Sequence, residues 1–274
     1  MTTSKTKSTV FRNGALCESI DPEDRGFLYG DGFFTTIRVI HGEPELWKRH
    51  ANRLEQSASK LGFEVDWQAL YAEVKARAVL LDTGVLKVIV SRGVGPRGYL
   101  APAHQADYYV QLFPQAFNGP MPAIASGLLH GQLGLLPAKL AGLKTLNRLE
   151  QVMLRQELVS TGWSEALVCD LSGQIVEGVY SNCFFRVDET WWTPPVTSSG
   201  IAGVMRAEIM ARMQQHGIAL KIQSLPASHI QRIEALFFCN ALTGIVPASQ
   251  LDLHSIDAEV VWQLREQLFP PIES

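Results

Sequence analysis

The sequence predicts an α+β fold divided into two domains, and three observations lead there. The chain has 274 residues, more than one core of average size accommodates. Strand-like and helix-like patterns are mixed in both halves, without strict βα alternation. A Pro-, Gly- and Ala-rich stretch, Asn118 to Gly127, separates the halves like a linker. The expected organisation is a small α+β domain over 1–115, a linker over 116–127 and a large α+β domain over 128–274.

The first domain opens with a short strand, Val10 to Arg12, closed by an Asn13-Gly14 turn. A strand over Phe33 to Ile40 reverses at His41-Gly42. Leu46, His50, Leu54, Ala58 and Leu61 recur at helical spacing, predicting a helix from Leu46 to Leu61 that stops at Gly62. Asp66 can cap a second helix with the stripe Leu70, Val74, Ala78 and Leu81. Two β-rich runs follow, Val85 to Ser91 and Asp107 to Phe113. In the second domain, LVCD and IVEGVYSNCFFRV flank a Ser172-Gly173 turn and are expected to pair as a hairpin. A helix from Val204 to about His216 carries Met205, Ile209 and Met213 on one face, and Ala235 to Cys239 reads as a buried strand.

Hydrophobic residues make up 46% and charged residues 19%, which is globular composition. A net charge of −3 gives no broad surface for nucleic acid. No apolar run reaches the ~20 residues that span a bilayer. The start, MTTSKTKSTV, is polar, lacks a signal-like apolar segment and reads as a frayed tail, so a cytoplasmic protein is expected. Cys17, Cys169, Cys183 and Cys239 form no C-x-x-C pair and read as reduced thiols, not as a metal or disulfide set.

Five places carry candidate chemistry. Lys144, in AGLKTLNRLEQV, precedes an apolar helix expected to turn Leu146, Leu149, Val152 and Met153 inward. Such a lysine is ordinarily a snorkelling surface residue, but a desolvated amine there is a nucleophile. Glu177 lies in an apolar strand, where alternation sets it on one face with Ile175 and Val179; it is an edge charge or a half-buried acid that needs a cationic partner. Arg53 sits at the margin of an apolar helix face, and its planar fork suits a fixed anion such as phosphate. Gly200 and Gly203 precede the helix at Val204, whose free N–H groups can bind phosphate, and a strand ending at Asn240-Ala241 offers a second such turn. Arg97 and Arg92 lie in the rigid loop VSRGVGPRGYL, which is either solvated or suited to carboxylate capture.

Taken in order, YGDGFFTTIRV, HANRL, the Lys144 segment, VEGVYSN, GVMR and CNAL resemble the branched-chain and D-amino-acid aminotransferase superfamily, the fold-type IV enzymes of pyridoxal 5′-phosphate (PLP). The resemblance runs from about Phe11 to Leu268. Within that superfamily GDGFFTT, SRGVGPRGY, KTLNRLEQV and CNAL are similar to the aminodeoxychorismate lyase branch. The aminotransferases usually carry Glu where Thr35 stands, and small hydroxyl residues or glycine where Asn240-Ala241 stands. The difference points to elimination, not amino-group exchange.

The resemblance implies a two-domain fold-type IV enzyme whose larger domain binds PLP. Lys144 would hold the cofactor as a Schiff base and act as the base, with Thr36 as a second catalytic group. Glu177 would face the pyridine nitrogen. Arg53 would clamp the phosphate, helped by backbone N–H groups of Val204, Met205, Asn240 and Ala241; the threonines frequent at the last position and at 205 are absent here, leaving that work to main chain. Arg97, from the partner subunit of a homodimer, would grip substrate carboxylate, with Thr35 and Arg148 also at the substrate. The alternatives are a D-amino-acid or branched-chain aminotransferase and a non-catalytic ligand-binding relative.

Overall fold

The computed structural model describes residues 8–270. Of the polar start MTTSKTKSTV, read above as a frayed tail, residues up to Lys7 lie outside the described residues, whereas Thr9 and Val10 begin a strand, Thr9–Arg12. The chain forms two compact units. One runs to Asn118 and takes in Leu143–Asn147; the other comprises Gly119–Gly142 and Arg148–Ser274.

The first unit contains β1 (Thr9–Arg12), β2 (Ala15–Leu16), α1 (Arg25–Tyr29), β3 (Gly32–Ile40), β4 (Glu43–Pro44), α2 (Trp47–Leu61), α3 (Trp67–Leu81), β5 (Gly84–Ser91) and β6 (Asp107–Pro114). The strands form one sheet in the order β2-β1-β6-β5-β3-β4. Asp66 caps α3 by accepting the Ala69 N–H at 2.9 Å, and α2 ends at the left-handed Gly62. Alternation along the central strands divides their faces. Phe33, Ile37, Val39, Leu86, Val88 and Val90 join Leu54, Leu70 and Val74 of the helices in one core. Phe34, Thr36 and Lys87 occupy the opposite face, where Thr36 stands directly across from Lys87.

The second unit contains β7 (Ile124–Ser126), β8 (Leu128–Leu133), α4 (Leu149–Thr161), β9 (Leu167–Asp170), β10 (Ile175–Gly178), β11 (Asn182–Val187), β12 (Thr190–Thr193), α5 (Val204–Gln215), β13 (Leu220–Ile222), a 3-10 turn, β14 (Ala235–Asn240), β15 (Gly244–Leu251), β16 (His254–Ser255) and α6 (Glu259–Leu268). Its layers follow the apolar clusters. Leu154 and Leu158 of α4 pack on the small sheet β10-β9-β8. That sheet packs through Leu167, Cys169 and Ile175 onto the large sheet β13-β12-β11-β14-β15-β16. Ile209 and Met213 of α5 and Val261 and Leu264 of α6 cover its far face. No described helix is long and apolar enough to cross a membrane.

Several expectations change. Ile124–Ser126, expected inside the linker, is a strand parallel to β15. The run IVEGVYSNCFFRV is not one strand. Ile175–Gly178 pairs with β9, whereas Asn182–Val187 joins the large sheet between β12 and β14. A bulge between Ile175 and Glu177 also breaks the alternation: Ile175 opposes Cys169, but Glu177 opposes Val168 and so turns to the other face. No helix starts directly after Lys144; α4 begins at Leu149. Its buried stripe is Leu154 and Leu158, while Leu149 (72% exposed), Val152 (51%) and Met153 (63%) point outward. The α4 sequence carries two apolar stripes, and periodicity alone does not say which one the sheet takes.

The turn between β10 and β11 is organised by a buried acid. Glu165 accepts the backbone N–H groups of Ala166 at 3.1 Å and Val179 at 2.8 Å. Burial pushes its pKa up to about 7, against the pull of these donors. A carboxyl that binds its proton more tightly in the folded state stabilises that state below its unfolded pKa, about 4.3. That contribution is lost as pH rises through about 7. Urea unfolding of the native chain and Glu165→Gln at stepped pH is therefore expected to show the native chain losing stability relative to the variant until about pH 7, and a constant difference above it. Parallel curves across that range would contradict this account.

Candidate active site

Lys144 stands on extended chain, not at a helix start. The Phe34 N–H donates to the Lys144 carbonyl at 2.9 Å and the Leu146 N–H to the Gly32 carbonyl at 3.0 Å, so 144–146 runs as a short strand along the start of β3. Phe33 and Thr145 are bridged antiparallel. Gly32 permits the approach: a Cβ there would meet the Val90 carbonyl oxygen at 2.3 Å and Leu146 Cδ1 at 2.7 Å. The half-buried lysine then sets Nζ 4.7 Å from the centre of the Phe34 ring. Lys87 Nζ lies 4.7 Å from the same ring. Lys144, Lys87 and Thr36 thus gather around one face of β3. Burial lowers the Lys87 pKa.

Thr35 takes the opposite side. It is fully buried in the core, and its hydroxyl contacts His50 Nδ1 at 2.6 Å and accepts from Arg53 Nη2. The expected substrate contact gives way to a structural one, because alternation turns position 35 inward when 36 faces out. Burial, reinforced by the Arg53 charge, holds the His50 pKa well below its usual value. Burial lowers the Arg53 pKa to about 10. The Arg53 Nε is inaccessible and has no hydrogen-bond partner. A half-buried guanidinium whose Nε is an orphaned donor fits an anion.

Arg97 is exposed on a loop that is held from behind. Arg25 Nη1 donates to the carbonyls of Pro96 at 3.4 Å and Gly98 at 2.7 Å, on either side of it. The Gly98 N–H donates to the Tyr29 hydroxyl at 3.1 Å. Arg92, the other arginine of this loop, is a brace: it pairs with Asp31 at 3.0 Å and donates to the carbonyls of Leu61 and Gly62 that end α2.

In the second unit Glu177 is buried and accepts the Ile201 N–H at 2.8 Å. Asn182 links the same carboxylate, at 3.4 Å, to the Ile201 carbonyl, at 2.8 Å. Arg148, at the N-cap of α4, is half-buried; burial lowers its pKa while the charges of Glu177 and Glu150 oppose the change. Beyond Ile201 the chain reaches Gly203, the N-cap of α5, where no side chain caps the helix. A Cβ on Gly203 would meet Asn182 Oδ1 at 2.0 Å, so only glycine leaves the first-turn N–H groups open at this approach. The Met205 side chain packs against the α5–α6 core, so its offering here is its N–H. Asn240 ends β14, and its Oδ1 accepts the N–H groups of Leu242 and Thr243 at 2.9 Å each, closing the turn that contains Ala241. An uncapped helix start and a buried acid on one connected segment fit a cofactor with a phosphate and a protonatable ring nitrogen.

Lys87, Asn182 and His50 were not singled out by the sequence. Lys87 had a signal, as a lysine in the apolar run VLKVIVS; its placement opposite Thr36 required the register. Asn182 and His50 lay inside motifs already noted, but Ile201 and Thr35, which they bond, lie outside those motifs.

The chain is similar to known proteins over most of its length. The chain is 34% identical to the crystal structure of 4-amino-4-deoxychorismate lyase from Pseudomonas aeruginosa, with a TM-score of 0.89, over 97% of this chain and 100% of that one. It is 30% identical over 243 residues to the aminodeoxychorismate lyase of Vibrio harveyi, covering 86% of this chain and 89% of that protein. It is 26% identical over 263 residues to a D-alanine aminotransferase of Bacillus licheniformis, covering 90% and 89%. Residues 32–251 match the amino-transferase class IV family along most of the chain, and the protein belongs to that family.

Proposed function

We propose that the protein is a PLP-dependent lyase that cleaves 4-amino-4-deoxychorismate to 4-aminobenzoate and pyruvate, as a cytoplasmic homodimer. The observation that carries this reading is the Thr36–Lys87 pair on the face where the Lys144 side chain stands. A hydroxyl beside a cation suits a substrate with a carboxylate and an ether oxygen to expel. The likeness to the two lyases supports it.

When bound, PLP withdraws electrons from the carbon bearing the substrate amine and acidifies its C–H bond. Lys144 Nζ takes that proton as general base. Glu177 supplies the carboxylate that keeps the pyridine nitrogen protonated. Arg53, braced by Thr35, takes the phosphate, and the N–H groups of Val204, Met205, Asn240 and Ala241 serve the same anion. The Thr36 hydroxyl donates to the ether oxygen as the C–O bond breaks. Lys87, Arg148 and Arg97 of a second subunit neutralise the substrate's two carboxylates. The expelled enol takes a proton to become pyruvate, and the ring becomes aromatic, so no further reactant is consumed.

The outward apolar face of α4, with Leu149, Val152 and Met153, supports the homodimer, as does exposed Phe27 of α1. Buried, unpaired Cys169, Cys183 and Cys239 are in keeping with the cytoplasm. An aminotransferase of D-amino or branched-chain acids is the second reading, favoured by the D-alanine aminotransferase likeness.

Incubation with 4-amino-4-deoxychorismate is expected to yield pyruvate and 4-aminobenzoate in equal amounts without a keto acid. Amine exchange that depends on a keto acid, with no pyruvate formed, would instead establish the second reading. Lys144→Ala is expected to lower turnover by at least about 1,000-fold, read under saturating substrate. Arg53→Ala is expected to weaken PLP binding about 10- to 100-fold, measured by equilibrium dialysis, since a charged hydrogen bond to phosphate is lost. Met153→Glu with Val152→Glu is expected to shift the sedimentation coefficient to that of a monomer; an unchanged dimer would remove α4 from the interface.

A further inference from the structure

Glu165 takes no part in the chemistry above, yet it is 2% exposed and four donors converge on it. Besides the N–H groups of Ala166 and Val179, the Tyr180 N–H reaches Oε2 at 3.4 Å, and the Ser181 hydroxyl donates to the same carboxylate. Ser181 Oγ in turn accepts from Asn240 Nδ2 at 3.1 Å. The Oδ1 of Asn240 receives the N–H groups of Leu242 and Thr243.

The polarity of this chain of bonds is set at its buried end. An ionised carboxylate only accepts, so the Ser181 hydroxyl commits its proton to Glu165 and offers Asn240 a lone pair. Asn240 must then present its NH2 to Ser181 and its carbonyl oxygen to the turn. The flipped amide would set NH2 against two N–H donors.

We propose that Glu165 is a positioning residue for the phosphate end of the cofactor site: through Ser181 it orients the Asn240 amide and so shapes the Asn240–Thr243 turn. The inference rests on the reading of Asn240-Ala241 as a phosphate turn. Glu165→Gln replaces an acceptor with a donor, reverses the Ser181 proton and removes the bias on the amide. Ser181→Ala cuts the same link and leaves Glu165 its three backbone donors.

The test compares the affinities of the full-length, cofactor-stripped chain for PLP and for pyridoxal, which lacks the phosphate, at about pH 8.5 where Glu165 is ionised. The preference for PLP is expected to fall about 10-fold in Glu165→Gln and in Ser181→Ala, with pyridoxal affinity unchanged, and the double variant is expected to be no worse than Ser181→Ala alone. The amide hydrogens of Leu242 and Thr243 are expected to exchange faster in both single variants. An equal fall for both ligands would mean general loosening and overturn the proposal. Should Glu165→Gln fail to fold, an unchanged preference in Ser181→Ala overturns it as well. If Asn240→Ala loses the preference but neither relay variant does, the relay fails and the phosphate turn stands. If Asn240→Ala keeps the preference, the phosphate-turn reading itself fails.

Discussion

Two backbone hydrogen bonds hold the lysine segment against the start of β3, and the chemistry of the first unit depends on them. They run between Phe34 and Lys144 and between Leu146 and Gly32. A lysine on a free loop would sample many rotamers and remain hydrated. On a strand its direction follows from the pleat, and the side chain stands by Phe34, whose ring Lys87 also approaches, on the face that carries Thr36. The same pleat divides Thr35 from Thr36: one threonine works inside the core on Arg53, and the other lies on the opposite face beside Lys87.

The second unit solves a different problem, the burial of acids. Glu177 and Glu165 are both nearly inaccessible, and each is surrounded by donors from nearby loops and turns. Such groups are costly unless satisfied. Satisfied, they make their surroundings stiff, because moving any donor leaves a buried charge short of a partner. The Glu177 network ends at the open start of α5, and the Glu165 network ends at the Asn240 turn.

Much of this was legible beforehand. The helices over Trp47–Leu61 and Trp67–Leu81 and the strands of the first unit have strong local signals, whereas Lys144, Glu177 and Arg53 are each ambiguous alone and stand out only as an ordered set of motifs. What could not be read depended on long-range choices. The bulge before Glu177 is a matter of register with β9. Val179 to Ser181 turn under the grip of Glu165, fourteen residues away from Val179, which splits an apparently continuous strand. The lysine segment is extended because β3 has a vacant edge at its start, which nothing near Lys144 announces. For α4, two apolar stripes compete, and the sheet beneath it chooses.

The loop bearing Arg97 shows how the backbone beneath an exposed side chain can be braced. Arginine side chains give up about 2 kcal/mol of rotamer entropy when fixed, and a mobile loop would add the ordering of its backbone to that. Here the peptide groups flanking Arg97 are already occupied, by the Arg25 guanidinium from beneath and by Tyr29 from the side. An anion bound there would therefore immobilise one side chain and no main chain. Selectivity at such a position would follow from the reach of a single guanidinium pivoting on a braced backbone.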